Sequence, residues 1–107
     1  MAQLHPLDHL FDVIRARIGA DPASSYTAKL LSQGKVKIAK KLGEEGVETA
    51  LAAVAQDKAS LTAESADLLY HLLVLWVACD VTPDEIYRAL EARAGRSGLE
   101  EKATRTP

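Results

Sequence analysis

Apolar side chains recur at helical spacing along most of the chain, and no segment shows the alternation that is typical of a strand. Gly19, Gly34 and Gly95 follow three of these apolar segments and are predicted to end helices. Thr82 to Glu85 forms a capping box with proline at the first helical position. The pattern predicts five helices, over about residues 7–18, 25–31, 35–55, 62–79 and 83–94. We therefore expect an all-α, mainly antiparallel helical bundle.

The third predicted helix carries an acidic strip on an otherwise apolar surface. At about 100° per residue, Glu44 and Glu45 lie about 40° and 60° to either side of Glu48. Lys37 and Lys41 fall on the same strip. The remaining circumference is apolar over a wider arc than a surface helix needs, so we expect this helix to be mostly buried.

The fourth predicted helix has the same character. Glu64 and Asp67 share a face in its first turns, where the helix N-terminus tolerates negative charge. Residues 68–79 follow without a formal charge, which is typical of a central helix. Since this helix has no polar face for water, we expect helices of a second subunit to complete the core. Cys79 lies among apolar residues and is predicted to be a buried, inert thiol.

Two strips of carboxylates on two buried helices predict one shared cation site. Several buried carboxylates cannot all remain ionised without a cation, and hard oxygen ligands suit Mg²⁺, with Mn²⁺ as the alternative. The alternative interpretation is a solvated acidic face, with the two acids of the fourth helix merely favouring a helix start. The predicted metal ligands are Glu44, Glu45, Glu48, Glu64 and Asp67.

Other polar residues near these strips have two interpretations each. Lys37 and Lys41 either bind an anion or screen the acidic strip. His71, one turn past Asp67, is either a core residue or a hydrogen-bond partner of that acid. His5 and His9 have the spacing of a metal pair but no third ligand, so we interpret them as surface residues.

Composition narrows the class of protein further. The 107 residues predict one domain spanning 1–107, with the polar residues 96–107 as a mobile tail. A net charge of −2 gives no electrostatic footprint for nucleic acid, so we expect no nucleic-acid partner. The N-terminus does not resemble a signal peptide, and residues 68–79 are too few to span a bilayer. We therefore expect a cytoplasmic protein with no membrane partner.

The acidic pattern resembles a known superfamily. Glu44-Glu45-x-x-Glu48, fifteen intervening residues and Glu64-x-x-Asp67 are similar to the signature of the all-α, MazG-like nucleotide pyrophosphohydrolases. The surrounding residues resemble one member family, phosphoribosyl-ATP pyrophosphohydrolase, over about residues 7–105. This resemblance rests on four segments: Ser25-Tyr26-Thr27-x-x-Leu30, residues 37–45, residues 64–72 and residues 96–102.

The resemblance implies hydrolysis of phosphoribosyl-ATP to phosphoribosyl-AMP and pyrophosphate, the second step of histidine biosynthesis. It implies a stand-alone, magnesium-dependent enzyme that is a homodimer or a higher homo-oligomer. Water would attack the α–β phosphoanhydride. The implied catalytic residues are Glu45, Glu48 and Glu64, and the implied substrate-binding residues are Ser25, Thr27, Lys37 and Lys41. An N-cap role alone explains at least one of the two hydroxyl residues.

Two other functions remain open from the sequence alone. A house-cleaning pyrophosphatase of the same superfamily, acting on dNTPs or damaged nucleotides, shares the acidic pattern. A helical dimerisation module without catalysis would share only the fold. The tail adds a further hypothesis, that residues 96–102 fold over bound substrate.

Overall fold

The computed structural model describes residues 5–94, and this part of the chain is helical with no strand. The predicted tail, residues 96–107, and its proposed fold over substrate lie outside the described residues, as does Gly95. The prediction of an all-α fold is confirmed. The helices are α1 Pro6–Arg15, α2 Tyr26–Gln33, α3 Lys35–Val54, α4 Lys58–Ala78 and α5 Pro83–Ala94.

Side-chain caps explain where three of the helices begin. Ser25 Oγ accepts a hydrogen bond from the backbone N–H of Ala28 at the start of α2. Asp57 accepts hydrogen bonds from the first backbone N–H groups of α4. At α5 the predicted capping box is confirmed, because the Thr82 N–H donates to Glu85 and the Glu85 N–H donates back to the Thr82 hydroxyl.

The first helix is shorter than the apolar pattern predicts. It ends at Arg15, and Arg17 and Ile18 then donate their backbone N–H groups to carbonyls three residues earlier. This tighter turn leads to Gly19, which has a positive φ of 78°. Ile18 is therefore 60% exposed, although its helical spacing from Ile14 predicts a place on the same buried face.

The fourth helix begins one turn earlier than predicted. Because Asp57 caps it, Glu64 and Asp67 lie about two and three turns inside the helix and not in its first turns. The charge at the helix N-terminus falls off within one turn, so it cannot be what stabilises these two carboxylates.

Helices α3 and α4 form the largest helix–helix contact, and a short connection makes them antiparallel. Helices α1 and α2 pack against α4, and α1 also contacts α5. The centre of the bundle is one cluster of fully buried apolar side chains from the first four helices. Its members are Phe11, Ile14, Leu30, Ile38, Leu73 and Val74.

Several side chains predicted to be buried are exposed in the single chain. On α3 only Ile38 is fully buried, and the apolar arc expected inside the core is open to solvent over much of its length. Cys79 is also exposed, since it follows the end of α4 at the surface. On α5, Leu90 and Ala94 are exposed, although their helical spacing from Ile86 predicts that the three residues share an inward face. These predictions are wrong for one copy of the chain because three short helices cannot cover both long ones.

Helix α4 is long and apolar enough to cross a membrane by length and composition, with a mean hydropathy of 1.3. It carries Glu64, Asp67 and His71, however, and three other helices pack against it. A core helix of a soluble bundle passes the same test of length and composition. We therefore describe α4 as the central helix of the bundle.

Candidate active site

Three carboxylates from the two long helices converge at the contact between α3 and α4. One carboxylate oxygen from each of Glu45, Glu48 and Glu64 lies within 4.8 Å of the other two. The first two lie one turn apart on α3, and the third faces them from α4. The spacing along α3 and the packing of α4 together produce this acidic cluster, which we define as Glu45, Glu48 and Glu64.

The acidic cluster is electrostatically unfavourable by itself. Desolvation raises the pKa of Glu64. This pKa is raised further by the charge of Glu48, by a hydrogen bond to the Glu48 side chain, and by the charges of Glu45 and Asp67. One oxygen of Glu45 and one of Glu64 are buried without a hydrogen-bond partner among the described residues. Buried carboxylate oxygens normally have hydrogen-bond partners, so the lack of partners at these two oxygens requires a cause.

A divalent cation fits this arrangement. It would accept the orphaned oxygens as ligands and remove the like-charge repulsion that raises the pKa of Glu64. The donor set is composed entirely of carboxylate oxygens, which suits Mg²⁺ or Mn²⁺ better than a softer metal.

The other two predicted metal ligands lie outside the acidic cluster. Glu44 is exposed and faces a neighbouring cavity. Asp67 is also exposed, although its charge is close enough to raise the pKa of Glu64. The structure thus brings three of the five predicted ligands together, with Asp67 at their edge.

Thr49 is a residue that the sequence analysis did not single out. Its hydroxyl lies 2.7 Å from the carbonyl oxygen of Glu45 and 3.1 Å from that of Glu64. A helical threonine commonly bonds to the carbonyl four residues earlier, so the first contact has a sequence signal. The second contact joins α3 to α4 directly behind the acidic cluster. It depends on the packing of the two helices, for which the sequence carries no signal.

A lysine-rich cavity of about 310 Å³ opens beside the acidic cluster, between α2 and α3. Lys37 and Lys41, which the sequence predicts to bind an anion, both line it. None of its lysines forms an ion pair with another residue in the described part of the chain. The residues that define this lysine cavity are Lys29, Lys37, Lys40 and Lys41, with Tyr26 and Glu44.

The two predicted hydroxyl ligands are engaged within the protein. Ser25 caps α2, and the Thr27 hydroxyl lies 2.5 Å from the Tyr70 hydroxyl on α4. His71 is buried, and its Nδ1 donates to the backbone carbonyl of Asp67 at 2.8 Å, not to the carboxylate. His5 and His9 lie at the exposed surface of α1, as predicted.

Fold and site together define an all-α protein with an acidic cluster that has the donor set of a cation site, next to a lysine cavity whose charge suits anionic substrates. The sequence profile of the family "Phosphoribosyl-ATP pyrophosphohydrolase" matches residues 7–94. The chain belongs to this family. It is therefore an enzyme, a hydrolase, and the predicted resemblance is confirmed, whereas the alternative of a dimerisation module without catalysis is excluded.

Curated relatives agree over nearly the whole chain. The chain is 58% identical to the phosphoribosyl-ATP pyrophosphatase of Parvibaculum lavamentivorans over 97% of its own length and 95% of that protein. It is 57% identical to the enzyme of the same name from Jannaschia sp. (strain CCS1), over 94% of this chain and 98% of that one. The identity to the Paracoccus denitrificans enzyme of the same name is 52%, over 98% and 99% of the two chains.

Proposed function

We propose that this hydrolase converts phosphoribosyl-ATP to phosphoribosyl-AMP and pyrophosphate, the second step of histidine biosynthesis, in the cytoplasm. Relatives of more than 50% identity and nearly equal length carry the name of this activity. The observation that carries the chemical part of the proposal is the acidic cluster with its two orphaned, buried carboxylate oxygens.

Glu45, Glu48 and Glu64 would hold Mg²⁺, or Mn²⁺ in its place, with Asp67 near enough to complete the set through the remaining coordination positions. When bound, the ion would neutralise the negative charge of the phosphate oxygens and the charge that develops on the leaving pyrophosphate. Glu44 was predicted as a fifth ligand, and its position facing the lysine cavity favours a role outside the metal site.

The chain's own residues then have to orient the water and the substrate. The water attacks the α-phosphorus in line with the leaving β-phosphate, and one carboxylate of the acidic cluster orients it and accepts its proton. Lys37 and Lys41 lie on the strip that leads to the cluster and would stabilise the triphosphate as point charges.

Homo-oligomerisation is the other part of the proposal. Only 22% of the apolar stretch of α4 is buried within one copy of the chain, although residues 68–78 of this helix carry no formal charge. On α3, the side chains of Val47, Leu51 and Val54 lie at i, i+4 and i+7 and are all exposed. A second copy that covers both helices would bury the surface that the single chain leaves open.

The test measures pyrophosphate release from phosphoribosyl-ATP, ATP and dNTPs, in Mg²⁺ and in EDTA. The Glu48→Gln variant should lose about 100-fold or more of the rate, because the cluster loses one of its three charges. Glu91→Gln, the same change at an exposed site on α5, is the matched control and should retain the wild-type rate.

Melting temperatures distinguish a lost metal site from a lost fold. Mg²⁺ should raise the melting temperature of the wild type and of Glu91→Gln, because a ligand that binds only the folded state stabilises it. Glu48→Gln should not respond, and in EDTA it should melt no lower than the wild type, since like-charge repulsion is relieved. Release mainly from dNTPs would instead assign the chain to house-cleaning chemistry. Release that is equal in EDTA would contradict the metal site.

A further inference from the structure

The lysine cavity holds two lysines besides the pair that the proposed function assigns to the triphosphate. Four lysines line a cavity with a volume of about 310 Å³, and Glu44 is the only acid that lines it with them. None of the four has an ion-pair partner within residues 5–94. Like charges that share a concave wall repel one another and focus a field that attracts an anion. The cavity therefore has the charge and the shape of an anion site.

Its lysines occupy two different walls. Lys37 and Lys41 lie on the acidic strip of α3, within about 20° of Glu48. Lys40 lies about 140° around the same helix from Glu45, and Lys29 reaches the cavity from α2. Measured from Glu48, Lys40 lies about 80° around α3 on the side away from Glu45, and we define it, with Lys29 of α2, as the lateral wall.

The substrate of the proposed function carries two separate anions. Its triphosphate groups are joined through single bridging oxygens, so they must stay next to the scissile bond and hence near the acidic cluster. The phosphate monoester of the phosphoribosyl group lies at the other end of the molecule, beyond the base. A lateral lysine wall beside the cluster matches this second anion better than it matches a continuation of the triphosphate.

We propose that Lys29 and Lys40 bind the phosphate monoester of the phosphoribosyl group and so select phosphoribosyl-ATP over nucleoside triphosphates that lack it. This inference rests on the proposed function for the identity of the substrate. Tyr26, which lines the same cavity and is half exposed, offers an aromatic face there. Selectivity would then come from α2 and the lateral wall, and the reaction from the acidic cluster.

The decisive variants are Lys29→Ala and Lys40→Ala, with Lys58→Ala as the matched control on an exposed site at the start of α4. Each cavity variant should lower kcat/KM for phosphoribosyl-ATP by about 10- to 100-fold, the loss expected for one charge-assisted hydrogen bond. The kcat/KM for ATP should not change, and Lys58→Ala should leave both values at the wild-type level. Lys29→Arg, which keeps the charge, should recover part of the loss.

Binding measurements separate this inference from the proposed reaction. Titration calorimetry should show that the wild type binds phosphoribosyl-AMP more tightly than AMP and that Lys29→Ala reduces this difference by about 10- to 100-fold. Equal affinity of the wild type for the two compounds would overturn the inference. The inference would also be overturned if Lys29→Ala weakened pyrophosphate binding as much as phosphoribosyl-AMP binding, because the lysines would then serve the triphosphate. If the wild type binds as expected but releases no pyrophosphate, the proposed function fails and the phosphate site stands.

Discussion

Single residues at this site carry charge that has no partner within the described chain. Glu64 has a raised pKa because it is desolvated and faces other carboxylates, while Lys29 and Lys40 share a cavity without an ion pair. A chain under selection for stability alone would pair such groups with each other across the surface. Their separation into an acidic cluster and a basic cavity is instead what a substrate with a bound cation and several phosphates requires.

Thr49 acts on the acidic cluster through the backbone and not through a ligand atom. Replacing it with valine removes the hydroxyl that joins the carbonyls of Glu45 and Glu64 but keeps the shape of the side chain. We expect Thr49→Val to raise the Mg²⁺ concentration for half-maximal rate about twofold to tenfold, the equivalent of one hydrogen bond. Thr49→Ser keeps the hydroxyl and should behave like the wild type. A purely structural role would instead lower the melting temperature in EDTA and leave the Mg²⁺ requirement unchanged.

At the scale of helices, caps and spacing in the sequence predict most boundaries, but they do not predict how helices fit together. Ser25 and Thr82 mark starts that the structure confirms. The cap at Asp57 was missed because the predicted loop of residues 56–60 contains several residues that favour turns. Angular position on α3 follows from sequence spacing alone, which is why the acidic strip could be predicted. Which acids converge depends on the register between α3 and α4, and this is set by packing.

Gly34 connects α2 and α3 as a single residue. Its φ of 90° and ψ of 168° lie in a region that is nearly restricted to glycine. We expect Gly34→Ala to lower the free energy of unfolding by about 1–3 kcal/mol. Gly43→Ala is the control, because no atom lies within 4 Å of the added Cβ inside α3. That variant should gain about 0.5–1 kcal/mol. Urea unfolding in EDTA measures the free energy of unfolding of both variants. Equal changes in the two variants would contradict the special role of the Gly34 backbone.

The whole molecule leaves its two longest helices only partly covered. The sequence correctly predicts two apolar helices, but the mostly buried α3 that it predicts is largely exposed in one copy of the chain, because periodicity reports how apolar a face is and not what covers it. Val47 and Leu51, 61% and 63% exposed, form an apolar stripe with Val54 along the second half of α3. Exposed apolar stripes on a helix are typical of subunit interfaces.

The homo-oligomer can be tested by placing one charge in this stripe. Leu51→Lys should not unfold the single chain, since the side chain is already exposed there. In a two-fold symmetric dimer the change occurs twice and removes about 3–6 kcal/mol of apolar burial, which raises the dissociation constant by about 10²- to 10⁴-fold. Leu90→Lys, on an equally exposed leucine of α5, should have no effect. Sedimentation equilibrium measures all three proteins. A wild type that is monomeric at high concentration would contradict the proposal, as would Leu51→Lys that associates like the wild type.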